Sequence, residues 1–247
     1  MVALDSAGID AVVFDIGGVF LIPNHTRIGD VLAAVGLATV EDHDLLVQAH
    51  YRGVRAMTEH HAREVVGELD AGLWVSYDTA YFATLGVPPD RLPAAAEARA
   101  HQRRRRVEGV WTYPLRHNIA AVASFAAAYA LAVVSNNDGT AEAQCVEFGI
   151  GQVGEGPLPT LAAVVDSTVV GRVKPDPEIF APALAALGTE PSRTLYVGDT
   201  VYADVVGAAN AGMQVVQLDP FDLHADHDHA RCADLPALAS LLLGTLA

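Results

Sequence analysis

The sequence is poor in cysteine, in cations and in long apolar runs. Its 247 residues hold two cysteines, Cys145 and Cys232, far apart in the chain. That spacing excludes a disulfide framework and a cysteine-rich zinc site. Lysine and arginine total 15 against 30 aspartates and glutamates, a formal net charge of -15. There is no general positive field to hold a phosphate backbone, so a nucleic-acid binder is not expected. A small anionic substrate is a different matter, because it needs only a local pocket of donors and a cation. The most apolar stretches, 119–134 and 235–247, are too short or too punctuated to span a bilayer comfortably. The first ten residues, MVALDSAGID, carry no positive region followed by an apolar core, so no signal peptide is read. The expectation is a soluble cytoplasmic protein with no membrane partner. Its oligomeric state is not legible.

What the chain does have is core-forming material. Apolar types make up 51%, enough for a sizeable core. The length suits one large domain or a domain with an insertion. Four short apolar runs read as buried strands ending in turns: AVVF (11–14), LAVV (131–134), TLYV (194–197) and MQVVQL (213–218). Helical patterns fall between them, near 117–130, 139–148, 177–187, 203–211 and 235–243. This alternation predicts a Rossmann-like, doubly wound parallel sheet covered on both faces, in an α/β fold. Residues 21–112 break the pattern and read helical almost throughout, punctuated by Pro88, Pro89 and Pro93. They are expected to form a helical cap subdomain inserted into a core of residues 1–20 and 113–247.

Ligands of such sheets bind beyond the carboxyl ends of the strands. At or beside those ends lie Asp15, Ser135, Lys174 and the pair Asp199 and Asp204. Carboxylates converging at strand tips repel one another unless a cation sits between them. Hard carboxylate oxygens suit Mg²⁺, which takes one or two protein carboxylates together with phosphate. Asp15 is then a candidate nucleophile. Ser135 and backbone N–H groups would bind phosphoryl oxygens, and Lys174 would neutralise the charge that carboxylate and phosphate share.

The segments DIGGV (Asp15–Val19), VVSNN (Val133–Asn137), GRVKPDPEIF (Gly171–Phe180) and GDTVYAD (Gly198–Asp204) occur in this order. Together they resemble the haloacid dehalogenase-like hydrolase superfamily over essentially the whole chain, with a helical cap between the first and second motifs. The resemblance implies an aspartyl nucleophile, Mg²⁺, a mobile cap and, usually, hydrolysis of a phosphate monoester. Carried over residue by residue, it makes Asp15 the nucleophile. Ser135, Asn136 and Lys174 become the phosphoryl-binding residues, and Asp15, the Gly17 carbonyl and Asp199 the metal ligands, with Asp204 supporting that site. The expected substrate is a small phosphorylated metabolite.

One position departs from the family pattern. Family phosphatases typically carry a second Asp, the general acid and base, where this chain has Gly17. A backbone carbonyl there still ligates Mg²⁺, so the replacement bears on protonation of the leaving group. General acid–base catalysis is typically worth roughly 100- to 10,000-fold. Two alternatives follow. The metal-independent 2-haloacid dehalogenases need no second Asp, but those compared tend to have Ser and Asn where GDTVYAD is acidic. A non-catalytic binding protein is the other.

Several residues have plainer readings. Asp15 alone could cap a turn, Ser135–Asn137 could cap a helix, and Lys174 could be a surface lysine before a proline-started helix. Asp199 and Asp204 could be helix N-terminal acids. His224, His227 and His229, among Asp222, Asp226 and Asp228, invite a transition-metal site, but read first as a solvated loop. His60–His61 reads as a helix-surface pair, and Arg103–Arg106 as a solvated helix face. Trp74, Tyr77, Tyr81 and Phe82 follow helical spacing and read as cap core. Trp111–Pro114 reads as a hinge segment, and Asn24 and Arg27 stand near the first strand as marginal site candidates.

Overall fold

The structure is a computed structural model that describes residues 8–63, 71–105 and 107–244. Its first apolar run becomes strand β1 (Ala11–Phe14), buried at all four residues. Contacts within the chain divide it into two units, residues 1–20 with 114–247, and residues 21–113.

The inserted unit begins with β2 (Leu21–Pro23) and closes with β3 (Trp111–Pro114), and these two strands pair. Trp111–Pro114, read from the sequence as a hinge and docking segment, is a strand. Between them lie α1 (His25–Ala34), α2 (His43–Arg63), α3 (Ala71–Thr84) and α4 (Leu92–Arg104). Asn24 starts α1 by accepting from the Thr26 N–H, a side-chain N-cap, and its amide donates to Thr112 Oγ1 at 2.9 Å. Arg27 Nε donates to the Glu108 carbonyl at 3.0 Å. Both side chains thus hold the base of the insert together. Tyr77, Tyr81 and Phe82 are buried, as their spacing suggests, and the Arg103 guanidinium lies 5.0 Å over Trp74. Arg103 also makes a two-point ion pair with buried Asp78, and Arg104 bonds Glu97 at 2.6 Å. Two members of the arginine run thus have acidic partners within this unit, while Arg106 lies outside the described residues.

The other unit resumes with α5 (Arg116–Ala126), β4 (Ala130–Ser135) and α6 (Ala141–Glu147). A small parallel pair follows, β5 (Gln152–Val153) with β6 (Thr160–Leu161). Then come β7 (Val164–Asp166), α7 (Ser167–Val170) and a 3₁₀ turn, Pro177–Phe180, that runs into α8 (Ala181–Leu187). Next are β8 (Thr194–Gly198), a π-helical turn, Val201–Val206, and α9 (Gly207–Asn210). The chain closes with β9 (Gln214–Leu218), β10 (Ala230–Cys232) and α10 (Leu235–Leu243).

Six strands form one parallel sheet in the order β10-β9-β8-β1-β4-β7. On one face Val13, Ala132, Val134, Val165 and Tyr196 meet Ile179, Phe180 and Ala183. On the other, Phe14 packs edge-on against Phe20 and Phe125, each with ring centroids 5.4 Å away. This is the doubly wound α/β arrangement with a helical insertion that the sequence implies. From central β1 the chain adds β4 and β7 on one side, then β8, β9 and β10 on the other. The topological switch point therefore falls at β1. No helix among the described residues is long and apolar enough to cross a membrane.

Candidate active site

Strands β8, β1 and β4 are neighbours, and their register pairs Phe14 with both Val197 and Val133. Their carboxyl ends therefore lie at one level. Asp15 follows β1, Ser135 ends β4, and Asp199 follows β8. All three are buried, as are Lys174 and Asp204. Carboxylate oxygens of Asp15, Asp199 and Asp204 come within 4.8 Å of one another, the one grouping of potential metal ligands found among the described residues.

Two glycines allow this convergence. The turn after Asp15 contains Gly18 at φ +68°, and a Cβ there would lie 2.0 Å from Asp199 Oδ2. A Cβ on Gly198 would lie 2.3 Å from Asp204 Cγ. Gly17, two residues past Asp15, is half-buried and contributes only backbone.

Lys174 is 1% exposed and far from a surface lysine. Its Nζ donates to Asp204 Oδ1 at 2.6 Å and to the Tyr196 hydroxyl at 2.8 Å, and lies 3.0 Å from Asp15 Oδ2. Asn136 holds its main chain from both sides. The Lys174 N–H donates to Asn136 Oδ1 at 2.8 Å, and Asn136 Nδ2 donates to the Lys174 carbonyl at 3.2 Å. The side chain expected to bind substrate at position 136 is therefore directed to the lysine backbone instead. Asn137 does not cap α6 through its side chain. Asp166 on β7 does so, with Oδ2 accepting from the Gly139 and Ala141 N–H groups.

Asp204 sits in the π-helical turn, a distortion often found at functional sites. Its Oδ2 accepts from the Thr200 N–H (2.8 Å), Thr200 Oγ1 (2.7 Å) and the Asp199 N–H (3.2 Å). Burial alone would raise this carboxyl, but the Lys174 charge and the Lys174 and Thr200 hydrogen bonds outweigh it and hold the pKa below the ordinary value. Asp15 differs. Burial pushes its carboxyl up to about 7; Lys174 opposes the shift, and the Asp204 and Asp199 charges reinforce it. Its Oδ1 accepts from the Ile16 N–H at 2.7 Å, and Ser135 adds a side-chain hydrogen bond.

Three carboxylates around one ammonium leave an excess of negative charge in a buried place. This oxygen-only donor set, closed in by two glycines, suits a hard divalent cation. The Asp15 and Asp199 carboxylates could hold it, with the Gly17 carbonyl as the family resemblance implies. Asp204 has both oxygens already accepting hydrogen bonds.

Tyr196 was not among the sequence candidates. Its hydroxyl accepts from Lys174 and lies 3.0 Å from both the Val134 carbonyl and Asp204 Oδ1. Burial, with the Asp204 and Asp15 charges, raises its pKa well above the ordinary value, so it stays protonated. The available signal was a phenol inside a buried strand, where the O–H must find a partner. His224 also differs from expectation. It is 1% exposed, not solvated, with its backbone N–H bonded to Asp219 Oδ2 at 2.8 Å.

Residues 9–212 match the haloacid dehalogenase-like hydrolase family. The chain belongs to that family. A phosphoserine phosphatase of Thermus thermophilus is 34% identical to this hydrolase over 154 residues, which is 61% of this chain and 57% of that one. A glyceraldehyde 3-phosphate phosphatase of Methanothermobacter thermautotrophicus is 39% identical over 66 residues, 27% of this chain and 29% of that one. The hydrolase thus spans little more than half of the first relative and under a third of the second. Among solved structures, a HAD phosphatase from Thermococcus onnurineus aligns with a TM-score of 0.54 at 21% identity, over 97% of this chain and 100% of that one. The L-2-haloacid dehalogenase of Xanthobacter autotrophicus also gives 0.54, at 19% identity, over 96% and 100%. These likenesses show the fold, which both chemistries share.

Proposed function

We propose that this hydrolase is a Mg²⁺-dependent phosphatase of a small phosphorylated metabolite, acting through an aspartyl-phosphate on Asp15. The observation that carries this reading is the convergence of the Asp15, Asp199 and Asp204 oxygens within 4.8 Å. A halide-displacing enzyme has no use for three buried carboxylates, whereas a metal-assisted phosphoryl transfer does. The names of the phosphatase relatives support the same class.

Mg²⁺, when bound, supplies positive charge beside the carboxylates and the incoming phosphoryl group. The remaining steps belong to the chain. The Ile16 N–H and Lys174 hold the Asp15 carboxylate in one orientation. Asp15 attacks phosphorus, an O–P bond forms to the carboxylate, and the P–O bond to the leaving group breaks, the departing oxygen leaving as an anion that takes any proton from water. Ser135, at the end of β4, would turn its one O–H from Asp15 to a phosphoryl oxygen when substrate binds. Lys174 offsets the charge on the aspartyl-phosphate. Water then attacks the phosphoryl group, releasing phosphate and restoring Asp15. Gly17 has no side chain to protonate the leaving oxygen. Substrates whose leaving groups need little protonation, such as acyl and anomeric sugar phosphates, fit this site best.

The test is phosphate release from a phosphometabolite panel that includes both classes, run with Mg²⁺ and with chelator, beside Asp15→Asn. Turnover that needs Mg²⁺ and vanishes in the variant is expected. Gly17 favours one second reading, metal-independent dehalogenation, and halide release that persists in chelator would establish it instead. Mg²⁺ binding without any turnover would mark a binding protein.

A further inference from the structure

Gln217 lies in β9, the neighbour of β8, and is fully buried. A buried amide is costly unless it is hydrogen-bonded. Its Nε2 donates to the backbone carbonyl of Asp199 at 2.8 Å. A carbonyl only accepts, so the amide nitrogen must face Asp199. Gln217 Oε1 then faces His229 Nε2, 2.7 Å away, and that ring nitrogen must carry the proton. The amide nitrogen also lies 3.3 Å from His224 Nδ1, a nitrogen that lies 3.5 Å from Asp219 Oδ2 as well. One main-chain carbonyl thereby sets the tautomer of His229. Burial, with neighbouring His227 and Arg231, lowers His229 to about 4, which keeps the ring neutral and its Nε2–H in place. Asp219 anchors the loop that carries the histidines, accepting from the Leu223 N–H at 2.9 Å and the His224 N–H at 2.8 Å.

The aspartyl chemistry uses none of these side chains, yet their hydrogen bonds end on the main chain of Asp199. The Asp199 carboxylate is also confined from the other side, against Gly18. We propose that Gln217 and His229 are positioning residues for the metal centre, holding the Asp199 main chain so that its carboxylate meets that of Asp15. This rests on the Mg²⁺ reading above. Loss of an outer partner of a metal ligand typically weakens metal affinity about 10- to 100-fold.

The experiment is isothermal titration calorimetry with Mg²⁺ alone, on the full chain and on Gln217→Leu, His229→Phe and His229→Gln. Melting temperatures and turnover at saturating Mg²⁺ are measured alongside. His229 is half-buried and Gln217 fully buried, so His229→Phe is expected to lower the melting temperature less than Gln217→Leu. Gln217→Leu and His229→Phe are expected to bind Mg²⁺ roughly 10- to 100-fold more weakly. His229→Gln, whose amide can donate from nearly the same place, is expected to bind close to wild type. Excess Mg²⁺ should restore kcat in His229→Phe. Equal affinities in wild type and folded His229→Phe overturn this inference alone. A wild type that binds no Mg²⁺ overturns the reading beneath it, and this inference with it.

Discussion

Lys174 pairs with Asp15 and Asp204 beside Asp199, and burial, reinforced by the Asp204 and Asp199 charges, raises the pKa of Asp15 against the pull of that ammonium. Its carboxyl is pushed up to about 7 in the folded chain from an ordinary 3.8. A group with a raised folded pKa adds stability below its unfolded pKa and loses it as pH rises through the folded one. The metal-free protein is therefore expected to lose this contribution between about pH 4 and 7. Asp15→Asn carries no charge and has no such loss. Its melting temperature without Mg²⁺ should exceed that of wild type at pH 7.5, with the gap closing near pH 5. A pH-independent gap would show that Asp15 does not titrate in this window. Mg²⁺ must displace the same proton, so its affinity should rise over that interval. Gly18 offers a second test. Alanine there meets a left-handed backbone, costing roughly 1–2 kcal/mol, and a Cβ 2.0 Å from Asp199 Oδ2. Gly18→Ala should lower stability by at least about that much. It should also weaken Mg²⁺ binding, measured by calorimetry, because the carboxylate must move aside.

At the scale of elements, one buried side chain ties three segments of the core. Asn118 in α5 donates to the Val19 carbonyl at 2.7 Å and accepts from the Leu235 N–H at 2.9 Å. The first bond fixes the turn after Asp15, and the second fixes the start of α10. Asn118→Ala leaves both buried backbone groups without this partner, at about 1–3 kcal/mol each. The urea midpoint should fall accordingly, with the m-value unchanged. Which elements are legible in the sequence follows from length and context. β1, β4, β8 and β9 are apolar runs that stop at polar turn residues, and they stand out. β7 and β10 are three residues each, too short to show a period, and β10 sits among histidines and aspartates. The residues the fold gathers at the strand ends are legible for the same reason the strands are: Asp15, Ser135 and Asp199 interrupt or follow apolar runs. Tyr196 and Gln217 lie inside strands, where alternation counts them as core. Their polar atoms acquire meaning only once β8 and β9 are known to be adjacent. The π-helical turn that presents Asp204 has no periodic signature of its own.

At the scale of the whole molecule, the net charge of -15 sets a field against the substrate class proposed here. Lys174, which pairs with Asp15, already donates to Asp204 and Tyr196. A phosphorylated metabolite therefore approaches a protein whose long-range field repels it and whose attraction is local. Raising salt from about 0.01 to 0.15 M shortens the screening length from roughly 30 to 8 Å. That removes the distant repulsion first and leaves short-range contacts at the strand ends largely intact. The kcat/KM for a dianionic substrate at fixed, saturating Mg²⁺ should therefore rise over this range. kcat should change little, because chemistry follows binding and takes place at buried groups. A fall in kcat/KM would mean that a positive local field dominates the approach. The salt series thus separates global charge from site charge, because bound Mg²⁺ and Lys174 offset the carboxylates of Asp15, Asp199 and Asp204 only locally.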